Sequence, residues 1–271
     1  MHILITGATG GIGAATAEAL AAGGADLTLI ARDEEKLAAL AERLARHGNG
    51  VAVVAGDLTL IRDFSAMIAE ATSRLGPVDV LVNNAGVNWF GHFQDMGDAD
   101  IARAVETNLL VPLRLTRILL GGMRLRGQGV IVNVGSVFGS IGFGGFVVYC
   151  ASKFALRGFS EALRRELRGS GVSVVYVAPR FTRTALNEGA IERMAAGIGL
   201  AMDHPDRVAK GIAAAITARC SERTIGRSEH FFMRLNAMMP GMIDRGMVRM
   251  TKRILHFAPP LIKEPKDPGE P

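Results

Sequence analysis

Short runs of successive apolar residues alternate along this chain with longer segments in which apolar positions recur every third or fourth residue. HILIT leads into a helical pattern over 12–22, DLTLIA into one over 34–46, and VAVVA into one over 61–74. VDVLVN then precedes a long helical pattern over 98–125, GVIVNVGS precedes one that runs to about 168, and VSVVYVAP closes the series. Runs such as VAVVA and GVIVNV are apolar at nearly every position rather than every second one, so these strands are buried on both faces. The pattern predicts a parallel sheet with helices on either side, a doubly wound α/β fold whose ligands bind at the carboxyl ends of the strands.

The pattern changes character over HFFMRLNAMMPGMIDRGMVRMTKRILHFA, residues 230–258. Apolar positions 231, 235, 238 and 242, then 247, 250, 254 and 257, keep helical spacing with an interruption at Pro240-Gly241. Arg245, Arg249, Lys252 and Arg253 supply a cationic face. Two amphipathic, methionine-rich helices are expected. They have four possible seats: the chain's own core, a lid over a pocket, another subunit, or, ranked last, an anionic membrane surface. Beyond them PPLIKEPKDPGEP, rich in proline and charge, is expected to form a flexible tail over 259–271.

Composition narrows this picture. The 271 residues, 49% hydrophobic, suffice for one large core, and no internal repeat or composition break divides the chain before about 259. The net charge of +5 comes from cations scattered along helices, and only 6% of residues are aromatic, so no nucleic-acid partner is expected. Cys150 and Cys220 lack CxxC or Cys/His spacing, which argues against a disulfide scaffold or a metal site; Cys150 is read as a small buried filler. No secretory leader and no membrane-length apolar run is recognisable, and a cytoplasmic location is expected.

Candidate chemistry begins at the end of the first run, TGATGGIG. Gly7, Gly11 and Gly13 permit a tight turn and the close approach of a pyrophosphate to a helix N-terminus, with Gly10 giving an alternative spacing. Placed between strand and helix, this turn points to a dinucleotide. In VVYCASKFAL, Tyr149 and Lys153 share a helix face, and an ammonium one turn from a phenol is expected to lower the phenol's pKa.

Four motifs in order, TGATGGIG, Asp57-Leu58, NNAG over 83–86, and Ser136 followed by Tyr149-x-x-x-Lys153, make residues 1–226 resemble the short-chain dehydrogenase/reductase family, in its common single-domain type. The resemblance implies a Rossmann-type domain over 1–227, of which 228–258 is a helical extension. It implies Tyr149 as general acid or base, Lys153 as the partner that tunes it and bonds the nicotinamide ribose, Ser136 as donor to the substrate oxygen, and Asn108 as anchor of a water linking Lys153 to solvent. For the cofactor it implies Gly7, Thr9, Gly11, Ile12 and Gly13 around the pyrophosphate. Asp57 and Leu58 would meet the adenine, Asn84, Ala85 and Gly86 would wall the adenosine ribose, and Thr182 and Thr184 would meet the carboxamide and pyrophosphate.

DLTLIA ends in Ala31-Arg32, with no acid to bond a ribose 2′-hydroxyl and a guanidinium suited to a 2′-phosphate, so NADP(H) is expected over NAD; Asp33 is read as the next helix's N-cap. Arg180 stands where the family usually has glycine and is expected to bring a cation toward the pocket mouth. The apolar loop 185–203 predicts a hydrophobic carbonyl or alcohol substrate, and the family implies a homo-oligomer. Two other readings stay open: a nucleotide sensor or scaffold without turnover, and an epimerase or dehydratase holding NAD tightly.

Overall fold

The computed structural model describes residues 1–61 and 63–259. The expected tail therefore lies, beyond Pro259, outside the described residues. Seven parallel strands, β1 (His2–Thr6), β2 (Asp26–Ala31), β3 (Val51–Ala55), β4 (Val80–Asn83), β5 (Gly129–Val134), β6 (Val172–Pro179) and β7 (Glu222–Ile225), form one sheet in the order β3-β2-β1-β4-β5-β6-β7. The order reverses between β1 and β4, where Ile3 pairs with Val80 and Ile5 with Val82. This switch point opens a crevice at the strands' carboxyl ends.

Successive residues of each strand feed two cores, as the unbroken apolar runs require. Ile3, Ile5, Leu27, Leu29, Val132 and Val175 pack on one face with helices α1 (Gly11–Ala21), α2 (Glu34–Ala45) and α8 (Pro205–Ala218). Leu4, Ile30, Leu81, Ile131 and Val174 pack on the other with α3 (Phe64–Leu75), α5 (Val111–Leu125) and α6 (Val147–Glu166). Asp33 caps α2 as read from the sequence, its carboxylate accepting from Lys36 N at 3.0 Å.

The long 98–125 helix is not uniform. It is built as α4 (Asp98–Val105), a π-helical turn (Glu106–Leu110) and α5. Pro112, with no N–H to donate, stands two residues after the end of the widened turn. That turn carries Asn108, which is fully buried.

The 185–203 segment is more than a pocket-lining loop: Asn187, Leu200 and Ala201 line the cavity, but the stretch between them is ordered. It contains α7 (Ala190–Gly197), and its Ile191 and Met194 pack into a cluster with Phe90, Phe146 and Ile254. The C-terminal pair forms as α9 (Arg227–Met238) and α10 (Pro240–Leu255), but the predicted apolar stripe is divided. Ile254 and Phe257 join that cluster, Leu235, Met242, Met247 and Met250 line a cavity, and Phe231 and Met238 stay exposed. Side-chain direction relative to β6 and β7, which helical spacing does not encode, decides this division.

Candidate active site

The glycine-rich turn sits at the switch point. Gly7 takes φ +63, and a Cβ there would lie 2.8 Å from Ala85 Cα, so β1 and β4 close on each other only through glycine. A Cβ on Gly13 would lie 2.1 Å from Gly7 O, and one on Gly11 2.6 Å from the Thr184 methyl. The first-turn amides of α1, at Gly11, Ile12 and Gly13, have no intrahelical acceptor and point at this bare loop, with Thr9 half-exposed beside it. The cradle fits a pyrophosphate. Ile12, Leu58 and Ala85 direct their side chains into the cores, so only their backbones face the crevice.

Asn84 stitches the two loops, its amide donating to Thr6 O at 3.0 Å and Gly7 O at 3.1 Å. Asp57 accepts from the Thr59 amide at 2.9 Å and hydroxyl at 2.7 Å. Burial alone would raise its pKa; the Thr59 bonds, with Arg32 and Arg103 nearby, outweigh that and hold it below the usual carboxylate range. Arg32 lies 3.9 Å from Asp57 and its side chain is 60% exposed, which leaves the guanidinium free to take a phosphate.

Asn108 bonds inward at every point. Its Oδ1 accepts from Val87 N at 2.8 Å, and its Nδ2 donates to Val87 O at 3.0 Å and Ser152 Oγ at 3.0 Å. Gly86 beside it is hemmed in: a Cβ there would sit 3.3 Å from Asn108 Oδ1 and 3.8 Å from Lys153 Nζ. Lys153, 4% exposed, donates to Val134 O at 2.9 Å, and its Nζ lies 5.7 Å from the centre of the Tyr149 ring. Burial pushes its pKa down to about 8.

Tyr149 and Ser136 face the cavity together. Burial pushes the phenol up to about 12, and a hydrogen bond with the Ser136 side chain only partly offsets it. In the chain by itself the phenol thus lies above its ordinary pKa, not below it as expected from a neighbouring ammonium. Desolvation of the phenol dominates, and the ammonium is committed to Val134 O. Ser136 follows β5 and is held by a residue that sequence reasoning passed over. Tyr176 Oη accepts from Ser136 N and donates to Ser136 O, each at 3.2 Å. The signal was present in Gly135 and Gly139, where a Cβ would lie 2.1 Å from the Tyr176 ring or hydroxyl.

Arg180 lines the cavity, as expected, but its charge is paired. Its guanidinium forks onto Asp203 and reaches Glu229 on α9 at 3.2 Å. Thr182 is buried with its hydroxyl donated back to Arg180 O at 2.9 Å, while Thr184 lies over Gly11. Cys150 is buried and its thiol is raised to about 11 by burial, as befits a filler.

The cavity beside Ser136 and Tyr149 holds about 590 Å³. Its walls are Phe138, Phe143 and Phe181 from the sheet side and Phe232, Leu235 and Met247 from α9 and α10. The 185–203 segment contributes Leu200 and Ala201 to this wall, while its Ile191 and Met194 pack into the core, so most of the cavity's apolar lining comes from other elements. Asn88 also lines the cavity, and its buried Oδ1 has no hydrogen-bond partner among the described residues.

A doubly wound sheet with a phosphate cradle at the switch point and a Ser-Tyr-Lys group beside an apolar cavity defines a dinucleotide-dependent class of protein. The short chain dehydrogenase family model matches residues 1–195, and the chain belongs to that family. It is 33% identical over 227 residues to the ketoacyl reductase HetN of Nostoc, covering 83% of this chain and 78% of that one. It is 36% identical to the 3-oxoacyl-[acyl-carrier-protein] reductase of Escherichia coli, covering 72% and 79%. Among solved structures, a variant of the actinorhodin polyketide ketoreductase with NADPH superposes with a TM-score of 0.76 at 32% identity, covering 83% of this chain and 95% of that one. A Sphingobium yanoikuyae short-chain dehydrogenase in complex with NADPH gives 0.76 at 31% identity, covering 90% and 95%.

Proposed function

We propose that the protein is an NADP(H)-dependent oxidoreductase that interconverts a carbonyl and a secondary alcohol on a hydrophobic small molecule. The observation that carries this reading is the meeting of Ser136, Tyr149 and Lys153 between the glycine cradle and the apolar cavity. The relatives named as ketoacyl reductases and the neighbours solved with NADPH support it.

The nicotinamide, when bound, supplies or takes the hydride. The protein supplies the rest. Gly11, Ile12 and Gly13 amides hold the pyrophosphate, and Arg32 pairs with the 2′-phosphate. In reduction, Tyr149, neutral across the physiological range because of its burial, gives its proton to the carbonyl oxygen as negative charge grows there. Ser136 donates a hydrogen bond to the same oxygen, its backbone held by Tyr176. Lys153 places a positive charge behind the phenol and stabilises the phenolate left after transfer. The aromatic and methionine walls exclude water and select an apolar carbonyl, such as a fatty, polyketide or terpenoid ketone. We extend the reading to a homo-oligomer, supported by the exposed Val147 and Phe154 on α6.

A panel of hydrophobic ketones followed by NADPH absorbance tests the reading, with Tyr149→Phe as control. The variant is expected to bind NADPH normally and lose turnover by about 10²–10⁴-fold. Near wild-type turnover by the variant would remove Tyr149 from the mechanism. Absence of turnover on the whole panel, with NADPH bound, would favour the sensor reading.

A further inference from the structure

The outer side of the two C-terminal helices carries a pattern that neither the core nor the cavity uses. On α9, Arg227, Phe231, Arg234 and Met238 recur at helical spacing and stack along one side. All four are exposed, Phe231 at 62% and Met238 at 81%. On α10, Arg245, Val248, Arg249 and Lys252 form the matching stripe, with Val248 exposed at 56%. Met239 and Met242 join the two stripes at the turn between the helices and are also exposed.

Charge on this face is mostly positive, with the exposed Asp244 as its one acid beside Arg245. Residues 227–255 hold two acids, Glu229 and Asp244, and Glu229 is drawn to Arg180. Among the described residues, no ion pair involves Arg227, Arg234, Arg245, Arg249 or Lys252. Apolar side chains set between unpaired cations fit a partner with apolar depth beneath a layer of negative charge. A second copy fits poorly, because a two-fold contact through this patch would press the same cations together.

We propose that the α9–α10 hairpin docks on an anionic phospholipid surface. Phe231, Met238 and Val248 enter the acyl boundary and the flanking arginines meet the headgroups. Phe232 and Met242 belong both to the exposed surface and to the cavity wall, so the docked face adjoins the cavity. Docking rests on this surface alone and is independent of the redox reading.

The test uses the full chain with vesicles of phosphatidylcholine alone or mixed with phosphatidylglycerol, sedimented at low and high salt. Binding to the mixed vesicles, weakened by salt and absent with phosphatidylcholine, is expected. The triple variant Phe231→Asp, Met238→Asp, Val248→Asp should lower it at least ~10-fold while NADPH affinity and assembly mass stay unchanged. None of these three side chains lines the cavity. Arg234→Glu with Arg249→Glu should have the same effect. The proposal is overturned by failure to bind mixed vesicles at low salt, by a smaller loss in the triple variant, or by a change in that variant's assembly mass, which would make this face a subunit contact.

Discussion

Arg180 grips Asp203 with two nitrogens of its guanidinium, Nη2 to Oδ1 at 2.8 Å and Nε to Oδ2 at 3.0 Å, and so ties the end of β6 to the residue that precedes α8 by two positions. Its remaining nitrogen reaches Glu229 in the first turn of α9. One side chain thereby joins the strand end, the 185–203 segment and the helical wall of the cavity. Asp203 is 4% exposed, and its second partner, Arg207 at 2.9 Å, is itself more than half exposed.

Arg180→Gly, which restores the residue usual in the family, is expected to destabilise the fold by about 2 kcal/mol, since Arg207 still neutralises part of the buried charge. Arg180→Lys should recover less than half of this, because an ammonium cannot fork onto both carboxylate oxygens. KM for a hydrophobic ketone should rise while NADPH affinity holds. Burial alone would raise the Asp203 pKa, but Arg180 and Arg207 hold it below the ordinary carboxylate value. The pair's contribution is therefore present above pH about 4 and lost as pH falls through the lowered folded value. Urea unfolding across pH 3–7 checks both statements, and an Arg180→Gly protein of unchanged stability and KM would show the grip to be idle.

Lys153 should cost the cofactor-free protein stability. Its folded pKa of about 8 lies below its ordinary 10.5, so the burial penalty is full below pH 8 and is relieved as pH rises toward 10.5. Lys153→Met is expected to stabilise the cofactor-free fold by about 2–3 kcal/mol at pH 7, to lose most of that advantage by pH 10, and to abolish turnover. Denaturant titrations at the two pH values decide it; an equal or lower stability for the variant at pH 7 would show that the bond to Val134 O outweighs burial.

Arg32→Ala should weaken NADPH by about 1.5–3 kcal/mol and leave NADH nearly unchanged. Stability should barely move, because a 3.9 Å pair with a mostly exposed guanidinium contributes little. Fluorescence titration with both cofactors separates selection from structure, since equal losses would make Arg32 structural.

Gly13→Ala should cost NADPH affinity at least ~10-fold, because the new methyl would lie 2.1 Å from Gly7 O and must push the cradle open. Gly10→Ala, whose nearest neighbour stands at 3.3 Å on an exposed position, should leave the fold intact. Circular dichroism alongside titration distinguishes a distorted cradle from an unfolded protein.

What the chain alone determined follows from periodicity and local chemistry. Unbroken apolar runs specify strands buried on both faces, and a glycine-rich turn between strand and helix specifies a phosphate cradle, because both depend on residues adjacent in sequence. Tyr149 and Lys153, one helical turn apart, were equally legible. Tertiary structure decided what depends on distant partners. The phenol's pKa rises instead of falling, since burial by the surrounding elements outweighs an ammonium held by Val134 O. Tyr176 becomes the support of Ser136 only because β6 lies beside β5, and the Arg180 cation at the cavity becomes a tie only because Asp203 and Glu229 arrive from elsewhere in the chain. The helical spacing of 230–258 predicted an apolar stripe, but which of its members face the cavity, the core or the solvent was decided by how α9 and α10 lie against the sheet. Helical periodicity orders side chains around one axis and carries no information about where that axis sits.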